Sequence, residues 1–427
     1  MSLLLRGGRV VDPSQDLDRR TDVLIEDGKV AGVGNVATRK TSETIDVDGC
    51  VVAPGFVDMH VHLREPGRED KETILTGSRA AAAGGFTSIV CMPNTTPVND
   101  NAAITRFILE RAAEAGLVNV YPTGAITLGS RGEQLAEIGE MHSAGIVAIT
   151  DDGRPVQDSQ VMRRALEYAR IFDIPVMDHC EDLFLAAGGC MNEGKASTRL
   201  GLRGMSRGAE ELHVVRDIIL SRITGGRVHI LHISTRESLD QVRAAKAQGI
   251  RVTCEVLPHH FSLTDDDIQD FDTDFKMMPP LRERADVEAM LEGLADGSID
   301  CLATDHAPHT RLDKEEPFEA AASGVIGMET AIPLCWEHLV CAGVVSVPRL
   351  VELFSLNPSR ILKLGKGTLA EGADADVTVI DPERRQVVDP SRFKSKGRNC
   401  PFRGWELRGA PVLTVVGGRV VHRQESA

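Results

Sequence analysis

Short apolar runs rich in β-branched residues alternate with stretches of helical spacing through the middle of the chain. Helical spacing is clearest in Ser159–Phe172, Glu210–Ile223 and Glu237–Gln248. The apolar runs, which predict strands, number eight: Phe56–His62, Thr87–Met92, Asn119–Ala125, Val147–Asp151, Pro175–His179, Val228–Ser234, Arg251–Leu257 and Cys301–Asp305. Eight β–α units joined by right-handed crossovers predict a TIM-like (β/α)8 barrel over residues 55–367. A doubly wound open sheet would also alternate, but no Gly-rich phosphate loop follows the first run.

Both ends of the chain have a different pattern, typical of short strands joined by turns. An Asp-Gly turn divides Asp22–Val30, and Gly417-Gly418 separates two β-prone runs near the C-terminus. Neither end alone has enough strands to bury a sheet face. We therefore expect residues 1–54 and 368–427 to form one small, discontinuous β-sandwich domain into which the barrel is inserted. Two separate caps are the alternative.

Composition narrows the classes of function. A length of 427 residues suits one large barrel with a smaller domain. The net charge of −15, without a Lys/Arg-rich block, argues against a nucleic-acid partner. No apolar run approaches the roughly 20 residues that span a bilayer, and the N-terminus lacks a signal-peptide core. Nine scattered cysteines without a CxxC pair indicate reduced thiols. These features predict a cytoplasmic protein without a membrane partner.

Residues that bind metals recur at the ends of the predicted strands, where barrels carry their chemistry. They are His60, His62, Asp151, His179, His232 and Asp305. Because side chains two apart on a strand point to the same side, both imidazoles of His60 and His62 face one interior. Imidazole and carboxylate ligands suit Zn²⁺, with Mn²⁺ or Fe²⁺ possible, and six ligands suffice for two metals about 3.5 Å apart.

Longer motifs around these residues resemble class I dihydroorotases of the amidohydrolase superfamily. The first motif is Pro54–Arg64, a Pro-Gly-Phe-Val-Asp-Met-His-Val-His-Leu-Arg segment. The motifs that follow it in the order of that family are Met92–Thr95, Thr150–Pro155, Asp178–Asp182, Leu231–Thr235, Ala303–His309, Ser395-Lys396 and Pro401–Leu407. The likeness covers nearly the whole chain.

The resemblance implies how the metals would be held. Many relatives bridge their two metals with a carboxylated Lys from the fourth strand, but this chain has no Lys between Lys71 and Lys195. Asp151 is therefore expected to be the bridging carboxylate, as in class I dihydroorotases. The alternative role of a turn cap fits Asp152 better. One metal would be held by His60, His62 and Asp305, and the other by His179 and His232.

The resemblance also implies a reaction. The family cyclises N-carbamoyl-L-aspartate reversibly to dihydroorotate with loss of water, a step of pyrimidine biosynthesis. In the hydrolytic direction a metal-bridging hydroxide attacks the ring carbonyl. Asp305 then serves as general acid and base, moving the proton to the leaving nitrogen.

Three residues resemble the contacts that the family makes with the substrate carboxylate. Arg64 can bind it bidentately, and Asn94 and His309 are expected beside it. Each has a simpler reading: a surface ion pair for Arg64, a turn residue for Asn94 and a loop residue for His309. We expect residues 310–324 to form a lid.

The chain departs from the family at two places near the substrate. Met278 stands before Pro279 where the family usually has an Asn that contacts the substrate. A thioether cannot make the two hydrogen bonds of an amide. The lid has Ala322-Ser323 where a Pro-Phe pair is usual.

Three functions therefore stay open. The first is dihydroorotase, and the second is another cyclic amidohydrolase that acts on hydantoins or dihydropyrimidines. The third is a weakly active scaffold partner of aspartate transcarbamoylase. The resemblance also implies a homodimer.

Overall fold

The computed structural model describes residues 2–34, 36 and 41–424. Its strands are β1 Ser2–Arg6, β2 Arg9–Asp12, β3 Leu17–Arg20, β4 Asp22–Glu26, β5 Lys29–Gly34, β6 Glu43–Asp46, β7 Val51–Pro54, β8 Phe56–Val61, β9 Phe86–Cys91, β10 Asn119–Pro122, β11 Val176–Asp178, β12 Met191–Asn192, β13 Gly204–Met205, β14 Val228–Ile230, β15 Val252–Val256, β16 Cys301–Leu302, β17 Val377–Val387, β18 Glu406–Val416 and β19 Arg419–Arg423. Its α-helices are α1 Ile74–Ala83, α2 Ala102–Ala115, α3 Ile138–Ala144, α4 Ser159–Phe172, α5 Leu183–Ala186, α6 Lys195–Leu200, α7 Gly208–Thr224, α8 Arg236–Ala247, α9 Pro258–Ser262, α10 Arg284–Asp296, α11 Arg311–Lys314, α12 Ala331–Cys335, α13 Val347–Val351 and α14 Asn357–Leu362. None of these helices is long and apolar enough to cross a membrane.

Parallel pairing links the eight predicted strand runs in sequence order. β8, β9 and β10 pair side by side, as do β11, β14, β15 and β16. The fourth run joins the two groups at Ile149, which bridges to Gly124 on one side and to Val176 on the other. A last parallel bridge, Val61 to His306, returns from the eighth run to the first. The pairings thus form a closed ring.

Local signals explain why the predicted helices begin and end where they do. The carboxylate of Asp158 accepts hydrogen bonds from the backbone N–H groups of Gln160 and Val161, which caps the start of α4. Asp173 ends α4 in a left-handed conformation with φ of 51°. The observed bounds match the prediction for this helix, and α7 and α8 differ from theirs by one or two residues.

One end of the ring is closed by aromatic packing. Phe56 and Phe86, at the starts of β8 and β9, are fully buried. Phe354, from the helical segment after α13, packs on both rings with centroid distances of 5.3 and 5.6 Å. This apolar plug fills the amino-terminal end of the ring.

Strands from both chain ends meet in one of two terminal sheets. A four-stranded sheet has the order β5-β4-β1-β6, and a six-stranded sheet has the order β19-β18-β17-β7-β2-β3. The predicted hairpins are present, β4 with β5 and β18 with β19. One apolar core contains residues from both ends, including Leu5, Val23, Val379 and Leu413.

Candidate active site

Five of the six predicted metal ligands come together at the carboxyl end of the ring. They are His60, His62, His179, His232 and Asp305, and all are buried. His60 lies in β8 and His62 just after it, on the same side because of the two-residue strand period. The other three residues follow the ends of β11, β14 and β16, which belong to one part of the ring with the order β11-β14-β15-β16.

Asp152, and not the predicted Asp151, is the carboxylate that lies with these histidines, so the placement of Asp151 in the cluster is wrong. Asp151 points to the other side, where Oδ1 accepts hydrogen bonds from the backbone N–H groups of Ile126 (2.8 Å) and Thr127 (3.2 Å). Its Oδ2 accepts a hydrogen bond from the Thr127 hydroxyl. The carboxylate of Asp152 instead lies among the histidines. Consecutive residues of an extended segment face opposite ways, so an error of one residue exchanges the two roles.

The cluster has two halves that meet at Asp152. On one side, His62 Nε2 and His60 Nε2 lie 2.8 and 3.5 Å from Asp305 Oδ1. On the other side, His179 Nδ1 and His232 Nε2 lie 2.9 Å apart. Sets of three ligand atoms in the cluster lie within 4.8 Å of one another, as the donors to one ion would.

Charge is concentrated in this cluster. Burial favours the neutral imidazoles, but nearby carboxylates outweigh it, raising the pKa of His60 well above its usual value and that of His179 to about 10. The same contacts overcome burial at Asp152 and Asp305 and hold their pKa values well below normal. The carboxylates therefore hold protons on His60 and His179, and a bound cation could take the place of those protons.

Three residues of the site hold an uncommon backbone conformation. Arg64, His232 and Asp305 have φ values of 63°, 33° and 46°. Non-glycine residues rarely occupy this left-handed region, at a cost of about 1–3 kcal/mol each. The surrounding contacts impose this conformation.

A cavity of about 340 Å³ opens above the cluster, and its wall contains the three predicted contacts with the substrate carboxylate together with Met278. The three contacts are Arg64, Asn94 and His309. The guanidinium of Arg64 donates from Nε to the carbonyl oxygen of Pro308 at 3.3 Å. Among the described residues no carboxylate forms an ion pair with it. Burial lowers its pKa to about 10, so Arg64 stays cationic at neutral pH.

Asn94 contributes a polar group to the cavity wall, and Met278 contributes an apolar one. Asn94 Oδ1 accepts a hydrogen bond from His62 Nδ1 at 3.0 Å, which turns His62 Nε2 toward the cluster. Met278 is half-buried and packs against an apolar group formed by Ala186, Met205 and Ala209. The cavity thus combines a polar side with an apolar one.

His309 joins the cavity to the predicted lid. Its Nε2 donates to the carbonyl oxygen of Ser323 at 2.9 Å, and its Nδ1 accepts from Lys71 Nζ at 3.1 Å. Burial and the cations Arg64 and Lys71 lower its pKa to about 2, so the imidazole is neutral. Both ring nitrogens are used within the protein in this conformation.

The predicted lid is anchored by a buried lysine. Lys314, at the end of α11, donates from Nζ to the carbonyl oxygens of Ala322 (2.9 Å), Gly324 (3.1 Å) and Lys276 (3.3 Å). Burial lowers the pKa of Lys314 to about 8. Ser323 and Gly324 form part of the cavity wall, so the C-terminal end of the predicted lid lies against the site.

Two glutamates that back the histidines were not predicted. Glu181 Oε2 accepts from His179 Nε2 at 2.8 Å, and Glu255 Oε1 accepts from His60 Nδ1 at 2.7 Å. A signal for Glu255 was present in the sequence, because it is a charged residue inside the apolar run of β15. Glu181 lies two residues after His179 and carries no comparable signal.

Comparison with known proteins agrees with this geometry. The family model described as "Dihydro-orotase-like" matches residues 49–238, and that of the amidohydrolase family matches residues 222–422. A protein named dihydroorotase from Pelotomaculum thermopropionicum is 55% identical over 99% of this chain and 98% of its own. The chain belongs to the dihydroorotase family. A second relative of that name, from Pelobacter propionicus, is 53% identical over 99% of this chain and 100% of its own.

Solved structures extend the likeness to other cyclic amidohydrolases. L-Hydantoinase (dihydropyrimidinase) from Arthrobacter aurescens has a TM-score of 0.89 at 28% identity, covering 100% of this chain and 97% of its own. D-Hydantoinase (dihydropyrimidinase) from Thermus sp. has a TM-score of 0.83 at 25% identity, covering 99% of this chain and 95% of its own. The predicted membership of the dihydroorotase family within the amidohydrolases is thus confirmed.

Proposed function

We propose that this protein is a dihydroorotase, which interconverts N-carbamoyl-L-aspartate and (S)-dihydroorotate in pyrimidine biosynthesis. The observation that carries the proposal is one cavity in which a metal-ligand cluster faces a cation, Arg64, which has no carboxylate partner in the described part of the chain. A cyclic amide that bears a free carboxylate needs both features. Relatives named dihydroorotase that match the whole chain support this choice.

The residues present fit a pair of divalent metals. Four imidazoles and two carboxylates are ligands typical of Zn²⁺, and Mn²⁺ or Fe²⁺ would also be compatible. His60 Nε2 is buried and has no hydrogen-bond partner among the described residues, as expected of a ligand atom. We assign His60, His62 and Asp305 to one metal and His179 and His232 to the other, with Asp152 between them. Bound there, the metals would polarise the ring carbonyl and lower the pKa of a water molecule.

Asp305 moves the proton in this proposal. Its carboxylate is ionised, because the adjacent histidines hold its pKa well below the usual range. It can therefore accept the proton of the attacking water and donate it to the nitrogen that leaves when the ring opens. Cyclisation uses the same group in reverse.

Arg64, Asn94 and His309 would bind the substrate carboxylate. The planar guanidinium can make two parallel hydrogen bonds to it. His309 is held to Ser323 and would have to exchange that contact for one with the substrate. This ties substrate binding to the position of residues 310–324.

The fold supports this assignment at two levels. We infer that the closed ring is a (β/α)8 barrel of residues 55–367, with its site at the carboxyl ends of the strands. Residues 1–54 and 368–427 are proposed to form the discontinuous β-sandwich domain. The sharing of one six-stranded sheet by both chain ends supports this division.

A turnover assay tests the proposal. Purified, metal-loaded protein is offered dihydroorotate, hydantoin and dihydrouracil in separate reactions. We expect hydrolysis of dihydroorotate, and cyclisation of N-carbamoyl-L-aspartate in the reverse assay. Turnover of hydantoin or dihydrouracil alone would refute the dihydroorotase assignment.

A second candidate, a hydantoinase-like activity, is favoured by one observation. The thioether of Met278 lines the cavity and offers an apolar surface. An uncharged ring would fit that side. Arg64 argues for the carboxylate-bearing substrate, because a buried guanidinium gains most from an anionic partner.

We further propose a homodimer in the cytoplasm. Nine free cysteines support a reducing compartment. Leu212, Ile219 and Ile223 form an exposed apolar face along α7, with relative exposures of 54%, 43% and 58%, which supports self-association. Association with aspartate transcarbamoylase is the alternative partnership. It predicts that the assayed turnover depends on adding that enzyme.

A further inference from the structure

A carboxylate lies beneath the metal-ligand cluster, inside the apolar strand β15. Glu255 is fully buried, and the strand on either side of it contains Cys254 and Val256. An ionised carboxylate in such a place costs several kcal/mol unless specific partners compensate it. Its partners therefore indicate its role.

Among the residues that the structure describes, each hydrogen bond to this carboxylate comes from a histidine N–H group. His60 Nδ1 lies 2.7 Å from Oε1, and His229 Nε2 lies 3.2 Å from Oε2. The backbone N–H of His232 donates to Oε1 at 3.4 Å. His229 in turn contacts Thr253 Oγ1 through Nδ1 at 2.8 Å, which fixes its ring.

These contacts determine which atom of His60 faces the cluster. An ionised carboxylate only accepts hydrogen bonds, so His60 Nδ1 must carry a proton. The lone pair needed by a metal is then available at Nε2, which lies 3.5 Å from Asp305 Oδ1 and 3.6 Å from Asp152 Oδ1. With the other tautomer His60 could not bind a metal through Nε2.

The Glu255 carboxylate also contacts the second half of the cluster, through the backbone N–H of His232. His232 has a φ of 33°, which is unfavourable for a non-glycine residue. The hydrogen bond from its N–H to Glu255 helps to hold this conformation and the direction of its side chain. One carboxylate thus contacts a ligand residue in each half.

We propose that Glu255 is a positioning residue of the metal centre, which fixes the tautomer of His60 and the backbone of His232. The inference rests on the metal centre in the proposed function, but it does not depend on the substrate. Carboxylates that accept a hydrogen bond from a metal-binding histidine raise the basicity of the imidazole, and their loss weakens metal binding about 10–100-fold.

Metal affinity is the measurement that tests this role. Metal-stripped parent protein, Glu255→Gln and Glu210→Gln are titrated with Zn²⁺ against a chromophoric chelator. Glu210 is the matched control: it is buried and paired with Arg282, and within residues 2–34, 36 and 41–424 it bonds to no histidine. We expect about 10–100-fold weaker Zn²⁺ binding in Glu255→Gln and parental binding in Glu210→Gln.

Three outcomes would overturn the inference. They are parental affinity in Glu255→Gln, an equal loss in the control, and no Zn²⁺ binding by the parent protein. If Glu255→Gln does not fold, Glu255→Asp replaces it, because the shorter side chain keeps the charge but withdraws from His60. Parental affinity in Glu255→Asp would likewise overturn the inference. A parent that binds Zn²⁺ but does not turn over dihydroorotate would refute only the proposed function.

Discussion

Asp152 has carboxylate oxygens 3.4–3.8 Å from ring nitrogens of four histidines. This central place makes it the best placed residue to join two metals. Asp151, one residue earlier, binds backbone instead. Asp151 and Asp152 therefore allow a matched comparison: the Asp152 carboxylate lies in the candidate metal site, and the Asp151 carboxylate stabilises the backbone.

We expect Asp152→Asn to lose bound metal and at least about 100-fold of its activity, because an amide is a poor bridging ligand. Asp151→Asn should keep its metal but unfold more easily, by about 1.5–3 kcal/mol, because it loses charge-assisted hydrogen bonds. Elemental analysis and urea unfolding measure the two effects. Metal loss in Asp151→Asn with retention in Asp152→Asn would contradict the assignment.

Arg64→Lys should raise KM for dihydroorotate and lower kcat/KM by roughly 10–100-fold, equivalent to about 1.5–3 kcal/mol. The ammonium keeps the charge but cannot make two parallel hydrogen bonds. Steady-state kinetics at parental metal content provides the measurement. Unchanged kinetics would show that Arg64 does not bind the carboxylate.

The single-residue error at Asp151 has a physical cause. A strand pattern shows which residues alternate, but the fourth run has few pairing contacts of its own: Ile149 bridges to both neighbouring strands, and the Val147 N–H donates to the carbonyl oxygen of Pro122. Its register is therefore set by the neighbouring strands and not by its own sequence. The orientation of His60 and His62 was easier to predict, because two histidines separated by one residue on a strand lie on the same face.

At the scale of elements, helical spacing predicted the bounds of α4, α7 and α8 to within two residues, whereas the contacts of the lid depend on the tertiary structure. Asp158 marks the start of α4 in the sequence itself. The anchoring of residues 310–324 by Lys314 depends on carbonyl groups, which every residue carries. No residue pattern could indicate it.

The lid anchor predicts a pH dependence of stability. Lys314 has a pKa of about 8 when folded and 10.5 as its ordinary value, so the unfolded chain binds more protons between these values. Stability conferred by this group should therefore rise from pH 8 to pH 10.5, by at most about 3 kcal/mol, and be lost as the pH falls toward 8.

Lys314→Met removes that titration. Urea unfolding at pH 7.5 and 9.5 should show the parent gaining stability relative to this variant as the pH rises. A parallel response of the two proteins would show that the lysine is not buried in solution. Leu312→Met, at an exposed position of the same helix, serves as the control.

At the scale of the molecule, the exposed face of α7 makes the dimer testable. Leu212→Glu combined with Ile219→Glu should reduce the mass in solution from a dimer to the single-chain value of 46.2 kDa, since charges at an apolar interface lose their water. Light scattering after size exclusion measures it. Val387→Glu, an exposed apolar site on β17, should leave the mass unchanged.

The joining of the chain ends was predictable because neither end could bury a sheet face alone. The pairing partners were not, since β-strand registers depend on contacts between distant segments. Val377 pairs with Pro54, and the two are more than three hundred positions apart.

That separation in sequence has a consequence for synthesis on the ribosome. β7 is an inner strand of the finished sheet. Its partner β17, however, is translated more than three hundred residues after it. At roughly 5–20 residues per second, the edge of β7 stays unpaired for some tens of seconds in the nascent chain. Exposed strand edges invite pairing with other chains. The nascent chain is therefore open to aggregation until β17 has been made, and chaperones that cover β edges would be of most use in that interval.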